Sequence, residues 1–241
     1  MYSVQEPESI IWNKMPKKLS IIIPVYGEEQ ELRRAIKALN RLEFPWPWEL
    51  IISQGHSEKR KIPPPPSRIP LTLVHSPKGR GIQMNQGARK ARGDVLLFLH
   101  VDTLLDQKGA DLLAREIDSQ TMVCGAFDLA IDAPERIFRI IERTASWRSR
   151  ITRLPYGDQA LFFSRSIFKA VGGFPPFPIM EDVGIMQAVK KQGLRPRILP
   201  HAVITSARRW QREGVIYTTL RNWSLILLYG AGVAPDRKSV V

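Results

Sequence analysis

The chain has 241 residues, 44% apolar and 24% charged, which suits a folded globular chain and excludes a largely disordered or fibrous one. Its formal charge of +13 draws polyanions such as diphosphates, nucleic acid or an anionic membrane, and its single cysteine, Cys124, excludes an internal disulfide and suits a reducing compartment. The cations are spread along the chain without zinc-ligand spacing, an RNA-binding aromatic signature or a helix-turn-helix pattern, so nucleic acid is not an expected partner. The first 18 residues contain Glu6, Pro7, Glu8 and Pro16 and no apolar run, and read as a loose leader rather than a signal peptide. No stretch supplies the ~20 apolar residues of a membrane-spanning helix.

Leu19-Ser-Ile-Ile-Ile-Pro-Val-Tyr is a short continuous apolar run, the mark of a strand buried on both faces. Residues 28–42 follow with Leu32, Ala35, Ile36 and Leu39 at helical spacing. Glu49-Leu-Ile-Ile-Ser gives a second strand, 63–66 a proline run in an extended loop, and Leu71-Thr-Leu-Val-His a third strand. A helix at 81–92, a strand from Asp94 to His100 and a helix at 107–118 complete the first half. This alternation calls for a parallel sheet covered on both faces, with ligands beyond the carboxyl ends of its strands. The tips to inspect are then 24–28, 53–57, 76–81 and 100–103.

The second half is less regular. It reads as a strand at 123–131 with Cys124 a small core residue, a helix at 134–153, a strand reached through 156–163 and a short helix at 166–170. A helix at 181–192 ended by Gly193, a strand at 197–205 and a closing helix at 213–230 follow. The helix at 134–153 sets Ile137, Ile140, Ile141, Thr144, Trp147 and Ile151 on one stripe among six arginines. Such a stripe ordinarily packs on the core; the alternative is a helix lying on an anionic membrane.

Several polar groups stand where chemistry could occur. Asp102 is at the mouth of the sheet. A hard cation bridging two phosphates takes oxygen ligands and leaves positions to water and substrate, so one or two protein carboxylates suffice. Asp102 could equally cap the next helix, and His100 could be a second ligand or orient the loop. The segment from Ser76 to Arg89 is dense in glycine, cation and amide before a helix start, where backbone N–H groups with Lys78 and Arg80 could hold a diphosphate. Glu181 and Asp182 open a helix whose dipole stabilises them, and one of them could serve as general base toward an acceptor hydroxyl. Tyr156-Gly-Asp-Gln could bind an acceptor or make a turn. In Ser206-Ala-Arg-Arg-Trp, Arg208 and Arg209 could engage a phosphate while Trp210 stacks or packs.

Taken in order, Ser20-Ile-Ile-Ile-Pro-Val-Tyr-Gly-Glu, Gln83-Met-Asn-Gln-Gly-Ala, Gly93-Asp-Val-Leu-Leu-Phe-Leu-His-Val-Asp-Thr, Tyr156-Gly-Asp-Gln, Gly172-Gly-Phe, Met180-Glu-Asp-Val and Ser206-Ala-Arg-Arg-Trp resemble the family 2 glycosyltransferases. The match is closest to the subgroup named transferase 2, rSAM/selenodomain-associated. The resemblance implies an α/β fold of GT-A type, a mostly parallel central sheet flanked by helices, with a leader at 1–18, one domain at 19–235 and a tail at 236–241. It implies an inverting, hexosyltransferase-like enzyme that moves a sugar from a nucleotide-diphosphate donor to an acceptor hydroxyl with a divalent metal, Mg or Mn.

The same resemblance assigns roles by position. Pro24, Tyr26 and Glu28 would lie near the nucleotide, with Gln54, Lys78, Arg80, Gln83 and Asn85 completing the donor-binding set. Asp102 matches the last aspartate of the metal-binding Asp-x-Asp motif, and His100 takes its first position. Asp182 matches the catalytic base of the Glu-Asp motif, with Glu181 assisting or orienting it. Tyr156, Asp158, Gln159, Arg208, Arg209 and Trp210 would face the acceptor or a phosphate. One departure matters: Gln54 stands where members carry an aspartate that reads the nucleotide base. Glutamine can donate to and accept from a base edge but lacks the charge. A second reading is therefore a non-catalytic nucleotide or diphosphate binder of the same fold, and a third is a membrane-surface scaffold. The family's range and the apolar stretch 223–233 admit a lipid-linked acceptor. The expected location is cytoplasmic, with peripheral contact at the inner face of the membrane.

Overall fold

A computed structural model of the chain describes residues 17–55, 69–119 and 124–215, with positions 217, 218, 221 and 224. The expected leader through residue 16, the proline run 63–66, residue 123 of the fifth expected strand, most of the closing helix at 213–230 and the tail at 236–241 lie outside the described residues. The elements run β1 (Leu19–Val25), α1 (Glu29–Leu39), β2 (Trp48–Gly55), β3 (Leu71–Ser76), α2 (Arg80–Lys90), β4 (Val95–Phe98), β5 (Thr103–Leu104) and α3 (Gln107–Asp118). Then come β6 (Cys124–Asp132), α4 (Arg136–Thr152), β7 (Leu161–Ser164), α5 (Arg165–Ala170), α6 (Glu181–Lys191), β8 (Arg197–Ser206) and α7 (Arg208–Glu213). The described strands form one sheet in the order β3-β2-β1-β4-β7-β6-β8-β5.

The first four strands are parallel, with Leu19 opposite both Trp48 and Val95. Successive strand residues face opposite sides of a sheet, so a strand covered on both sides must be apolar at every step. In β1, Leu19, Ile21 and Ile23 pack with the inner faces of α1 and α3, and Ile22 packs on the other side with α2 and α6. The parallel run is interrupted by β7, which lies antiparallel to both β4 and β6, and it resumes between β6 and β8. The chain reaches β7 through a 3₁₀ turn, Gly157–Gln159, and Ala160, which sits at φ 52. That turn delivers Leu161 opposite Phe98, so β7 starts where β4 ends and runs back along it. The turn is thereby fixed at the carboxyl end of β4, beside the other strand tips. Two short elements carry too little pattern to read in sequence: β5, which pairs with β8 through Thr103 and Thr205, and α7.

The rotation of α4 differs from the ordinary expectation. Its apolar stripe does not pack on the core: Ile137, Ile140, Trp147 and Ile151 are exposed, and the inward face is Phe138, Ile141, Ala145 and Ser149. Polar groups set this rotation. Glu142 accepts from the N–H of Ile131 at 2.6 Å, Ser146 from that of Leu129 at 3.3 Å, and Ser149 donates to Gln159 at 2.7 Å. Backbone donors of β6 that would otherwise be left unsatisfied dictate which face turns in.

Phe98 is in ring contact with Phe163, Phe168 and Phe174, at centroid distances of 6.0, 5.0 and 4.8 Å, tying β4, β7, α5 and the turn after it together. Truncating Phe98 to alanine should cost about 3–5 kcal/mol of stability. A urea titration reads this as a lower midpoint at unchanged slope; a loss below about 1 kcal/mol would mean the cluster closes over the gap.

Candidate active site

The carboxyl ends of β1, β2, β3 and β4 share one edge, and the strand order reverses between β2 and β4 across β1, the place where ligands enter open α/β sheets. Gln83, in the second turn of α2, is buried and donates to Val25 O at 2.7 Å and Ser53 O at 2.9 Å, clamping the tips of β1 and β2. Asn85 closes a two-way bond with Phe174, donating to its carbonyl at 2.8 Å and accepting from its N–H at 2.9 Å. Gln159 accepts from Ser149 and from the N–H of Tyr156 and donates to Phe127 O, wholly buried. Each of these three amides, expected to touch ligand, bonds backbone groups of a neighbouring segment and so fastens the elements around the mouth. Pro24 is likewise a buried strand residue opposite Ser53, and Gln54 is buried at the end of β2 opposite Val25 and His75.

At the mouth, Tyr26 is exposed, with Lys78 Nζ 4.2 Å from its ring centroid, and Glu28 accepts from the N–H of Tyr26 at 2.6 Å. Tyr26, Glu28 and Lys78, expected on the donor side, are thus brought together. Arg80, at the start of α2, reaches Glu181 Oε1 at 3.4 Å and keeps 41% of its side chain exposed.

The acids meet at Gly157. Its N–H donates to Asp182 Oδ2 at 2.7 Å, while Asp182 Oδ1 accepts from the N–H of Val183 at 2.8 Å. A Cβ on Gly157 would lie 2.7 Å from His100 Nε2 and 3.4 Å from Asp182 Oδ2, so the absence of a side chain lets the β4 tip and the start of α6 close on the turn. The residue before the acid pair, Met180, holds the left-handed conformation at φ 63, and Ala160 does the same after the turn. Non-glycine residues there carry strain of about 1–3 kcal/mol each, the kind of cost that collects at functional sites.

Burial dominates the electrostatics. It holds His100 well below the ordinary imidazole range, helped by Arg80 and Arg209, so the ring is neutral. His100 Nε2 and Asp158 Oδ1 are buried without a hydrogen-bond partner among the described residues. Burial pushes Asp158 up to about 6, with the Asp182 charge adding to it and Arg209 and Arg148 opposing. Glu181 rises for the same reasons, burial and then Asp182, against the pull of Arg80.

Asp102 is half-buried; its carbonyl accepts from the N–H of Ser206 at 3.2 Å, while its carboxylate makes no hydrogen bond or ion pair among the described residues. It does not cap the next helix. Asp106 does, accepting from Gly109 N at 2.9 Å. Of the late cationic cluster, Arg209 acts on His100 and Asp158 through its charge, whereas Arg208 is ion-paired to Glu31 and Trp210 packs edge-on to Phe138 at 6.2 Å. Trp210 is a packing residue because the third core cluster, under α4, lacks another large side chain to fill it beside Phe138.

Sequence reasoning missed Arg148 and Gly157. Arg148 lies over the Tyr156 ring, its guanidinium carbon 3.4 Å from the centroid, and donates to Leu154 O at 2.8 Å. Its position on the helix was a usable signal: at 100° per residue Arg148 falls across the apolar stripe from Arg136, Arg139, Arg143 and Arg150. The residues fit a hard cation that keeps substrate and water ligands. Asp102 offers a free carboxylate and His100 a neutral, unpartnered nitrogen, and among the described residues no three ligating side chains close into a cage.

Two outcomes follow from this geometry. Gly157→Ala should lower stability by about 1–3 kcal/mol through overlap with His100, and most of that penalty should vanish when His100→Ala is added. A urea-based double-mutant cycle measures it, and strict additivity would show that His100 is not the obstacle. For Asp158 the sign is that of a carboxyl raised in the fold: its penalty is absent below the ordinary value of 3.8, grows through about 6 and is complete above it. Asp158→Asn should therefore stabilise the metal-free protein by on the order of 2 kcal/mol at pH 8 and not measurably at pH 4; equal effects at both pH values would assign the change to packing.

Comparison with known proteins agrees with this architecture. The chain is 32% identical over 117 residues to the uncharacterized glycosyltransferase YfnE of Bacillus subtilis, covering 46% of this chain and 30% of that protein. It therefore spans about a third of that relative's length. Among solved structures it resembles S. aureus TarS 1-349 in complex with UDP-GlcNAc, with a TM-score of 0.58, 16% identity and coverage of 78% of this chain and 58% of that one. It also resembles the mannosyltransferase PcManGT of Pyrobaculum calidifontis in complex with GDP-Man and Mn2+, with a TM-score of 0.56, 21% identity and coverage of 80% and 57%. At such identities the likeness shows the fold, an α/β architecture of GT-A type. The model of Glycosyl transferase family 2 matches residues 20–174, most of the chain, and the chain belongs to that family.

Proposed function

We propose that the chain transfers a sugar from a nucleotide-diphosphate donor to an acceptor hydroxyl, with inversion at the anomeric carbon. The observation that carries this reading is the convergence on Gly157, where Asp182 and His100 arrive from segments 82 residues apart in sequence and leave a carboxylate, a neutral imidazole and the buried Asp158 at one mouth. Convergence of acids with separated electrostatic environments is a mark of acid–base chemistry. The donor class is supported by the similar structures, one in complex with UDP-GlcNAc and one with GDP-Man and Mn2+. The finer subgroup, transferase 2, rSAM/selenodomain-associated, rests on the motif set alone.

In the proposed reaction Asp182, oriented by the N–H groups of Gly157 and Val183, takes the acceptor's proton as the acceptor oxygen bonds to the anomeric carbon. The bond from that carbon to the phosphate oxygen breaks, and the nucleoside diphosphate leaves with the bonding electrons. Asp102 and His100 would hold the cation, Mg or Mn, whose charge offsets that of the departing diphosphate. Lys78 and the exposed part of Arg80 add positive charge on the donor side. Glu181, buried against Arg80, holds the start of α6 against α2 and so positions Asp182.

The test is calorimetry with nucleotide sugars, with and without manganese, followed by a transfer assay. Metal-dependent binding of one donor should be lost in Asp102→Ala. Asp182→Asn should bind that donor normally and lose transfer by about 10²–10⁴-fold. Unchanged turnover in Asp182→Asn would remove the base assignment. Donor binding by the wild-type chain with no transfer or hydrolysis would favour the binding-protein reading that Gln54 raises.

A further inference from the structure

Four of the eight large apolar side chains exposed among the described residues, Ile137, Ile140, Trp147 and Ile151, lie on the outer face of α4. Ile140, Trp147 and Ile151 are 57%, 68% and 60% exposed, and their spacing puts them on one line along the helix with Ile137 and Thr144. Large apolar residues scattered singly are normal on a soluble protein, but a line of them that includes a tryptophan is a contiguous patch. The opposite face is fully engaged with β6 and the Gly157–Gln159 turn, so the helix cannot roll to bury the line.

The charge around the line has one sign. Glu142, the one acid within α4, is turned inward onto Ile131. Arg136 and Arg143 flank the line, exposed and without an ion pair among the described residues. Past the carboxyl end of the helix, Arg150, Arg153, Arg195 and Arg197 line an open cleft. Arg150 and Arg197 are neutralised there by Asp128 and Glu116, while Arg153 and Arg195 form no ion pair among the described residues. A second copy of this chain seated on the same face would bring these arginines against each other. An anionic bilayer surface meets both features at once, the acyl boundary receiving the apolar line and the headgroups the cations.

We propose that the outer face of α4 is a membrane-docking surface, with Ile140, Trp147 and Ile151 entering an anionic phospholipid bilayer and Arg136, Arg143 and the adjacent arginine cleft binding its headgroups. Tryptophan favours the headgroup level, and arginine can keep its charge there while its stem lies on apolar surface. The inner side of the same helix holds the Tyr156–Gln159 loop, through Arg148 on Tyr156 and Ser149 on Gln159. Resting on the transferase reading, docking sets the candidate site about one helix diameter, ~10 Å, above the bilayer, within reach of an acceptor hydroxyl carried on a lipid.

The experiment is flotation of the whole chain with vesicles of phosphatidylcholine alone or mixed with phosphatidylglycerol, at low and high salt. The wild type should float with the anionic vesicles, less so at high salt, and not with the neutral ones. A triple variant, Ile140→Glu, Trp147→Glu and Ile151→Glu, should lose about tenfold or more of this partition while keeping its unfolding midpoint, since all three side chains point outward. Arg136→Gln with Arg143→Gln should weaken the anionic preference without altering the fold. The proposal falls if the wild type does not float at low salt, if the triple variant floats equally well, or if its effect is instead to turn a dimer into a monomer on size exclusion. Flotation needs no turnover, so an inactive chain that floats as expected would sink the transferase reading and leave docking standing.

Discussion

The contact at Gly157 governs the rest of the candidate site. A tip of the parallel half-sheet, a turn that starts an antiparallel strand and the first turn of α6 must all come within hydrogen-bonding range, and a side chain at that position would prevent it. The surrounding fasteners serve the same end. Gln159 fixes the turn to β6 and α4, Gln83 fixes the tips of β1 and β2, and Asn85 fixes the turn after α5. Rigid support of this kind lets a few acids keep positions that their mutual repulsion opposes.

That repulsion explains how the charge is distributed. The chain carries a large positive excess, yet its buried ionisable groups near the mouth are mainly acids. Arg80, Arg148 and Arg209 stand around them, two exposed to solvent and one half-buried over Tyr156. The arrangement leaves the acids incompletely neutralised, which raises Asp158 and Glu181 rather than holding every carboxylate ionised. A site that handles a proton and a diphosphate at neutral pH is served by groups that differ in this way.

What the sequence made legible follows from where pattern and physics coincide. The strands β1, β2 and β4 stand out because burial on both faces forces continuous apolar runs, and their tips located the mouth. The direction of β7 could not be read, because it depends on the turn 157–160 and not on any residue pattern within Leu161–Ser164. The rotation of α4 was hidden for a related reason: Ser146, Ser149 and Glu142 look like surface residues until the open N–H groups of β6 are known. The partners of the amides were hidden in the same sense. Gln83, Asn85 and Gln159 sit in strings that resemble binding motifs, and their partners are backbone atoms far away in sequence. Asp102 could be separated from a capping role only once Asp106 was seen to fill it.

The β4–β7 seam has a consequence for how the chain is made. Phe98 finds its antiparallel partner Leu161 only after another 63 residues have been added. At about 5–20 residues per second a ribosome leaves that apolar sheet margin open for several seconds, while β1, β2 and β3 can already pair on the far side. An unpaired apolar margin is a template for joining another nascent chain. The interval before β7 emerges is thus the vulnerable moment in biosynthesis, and slower association between neighbouring polypeptides, rather than a more stable finished fold, is what would protect the yield.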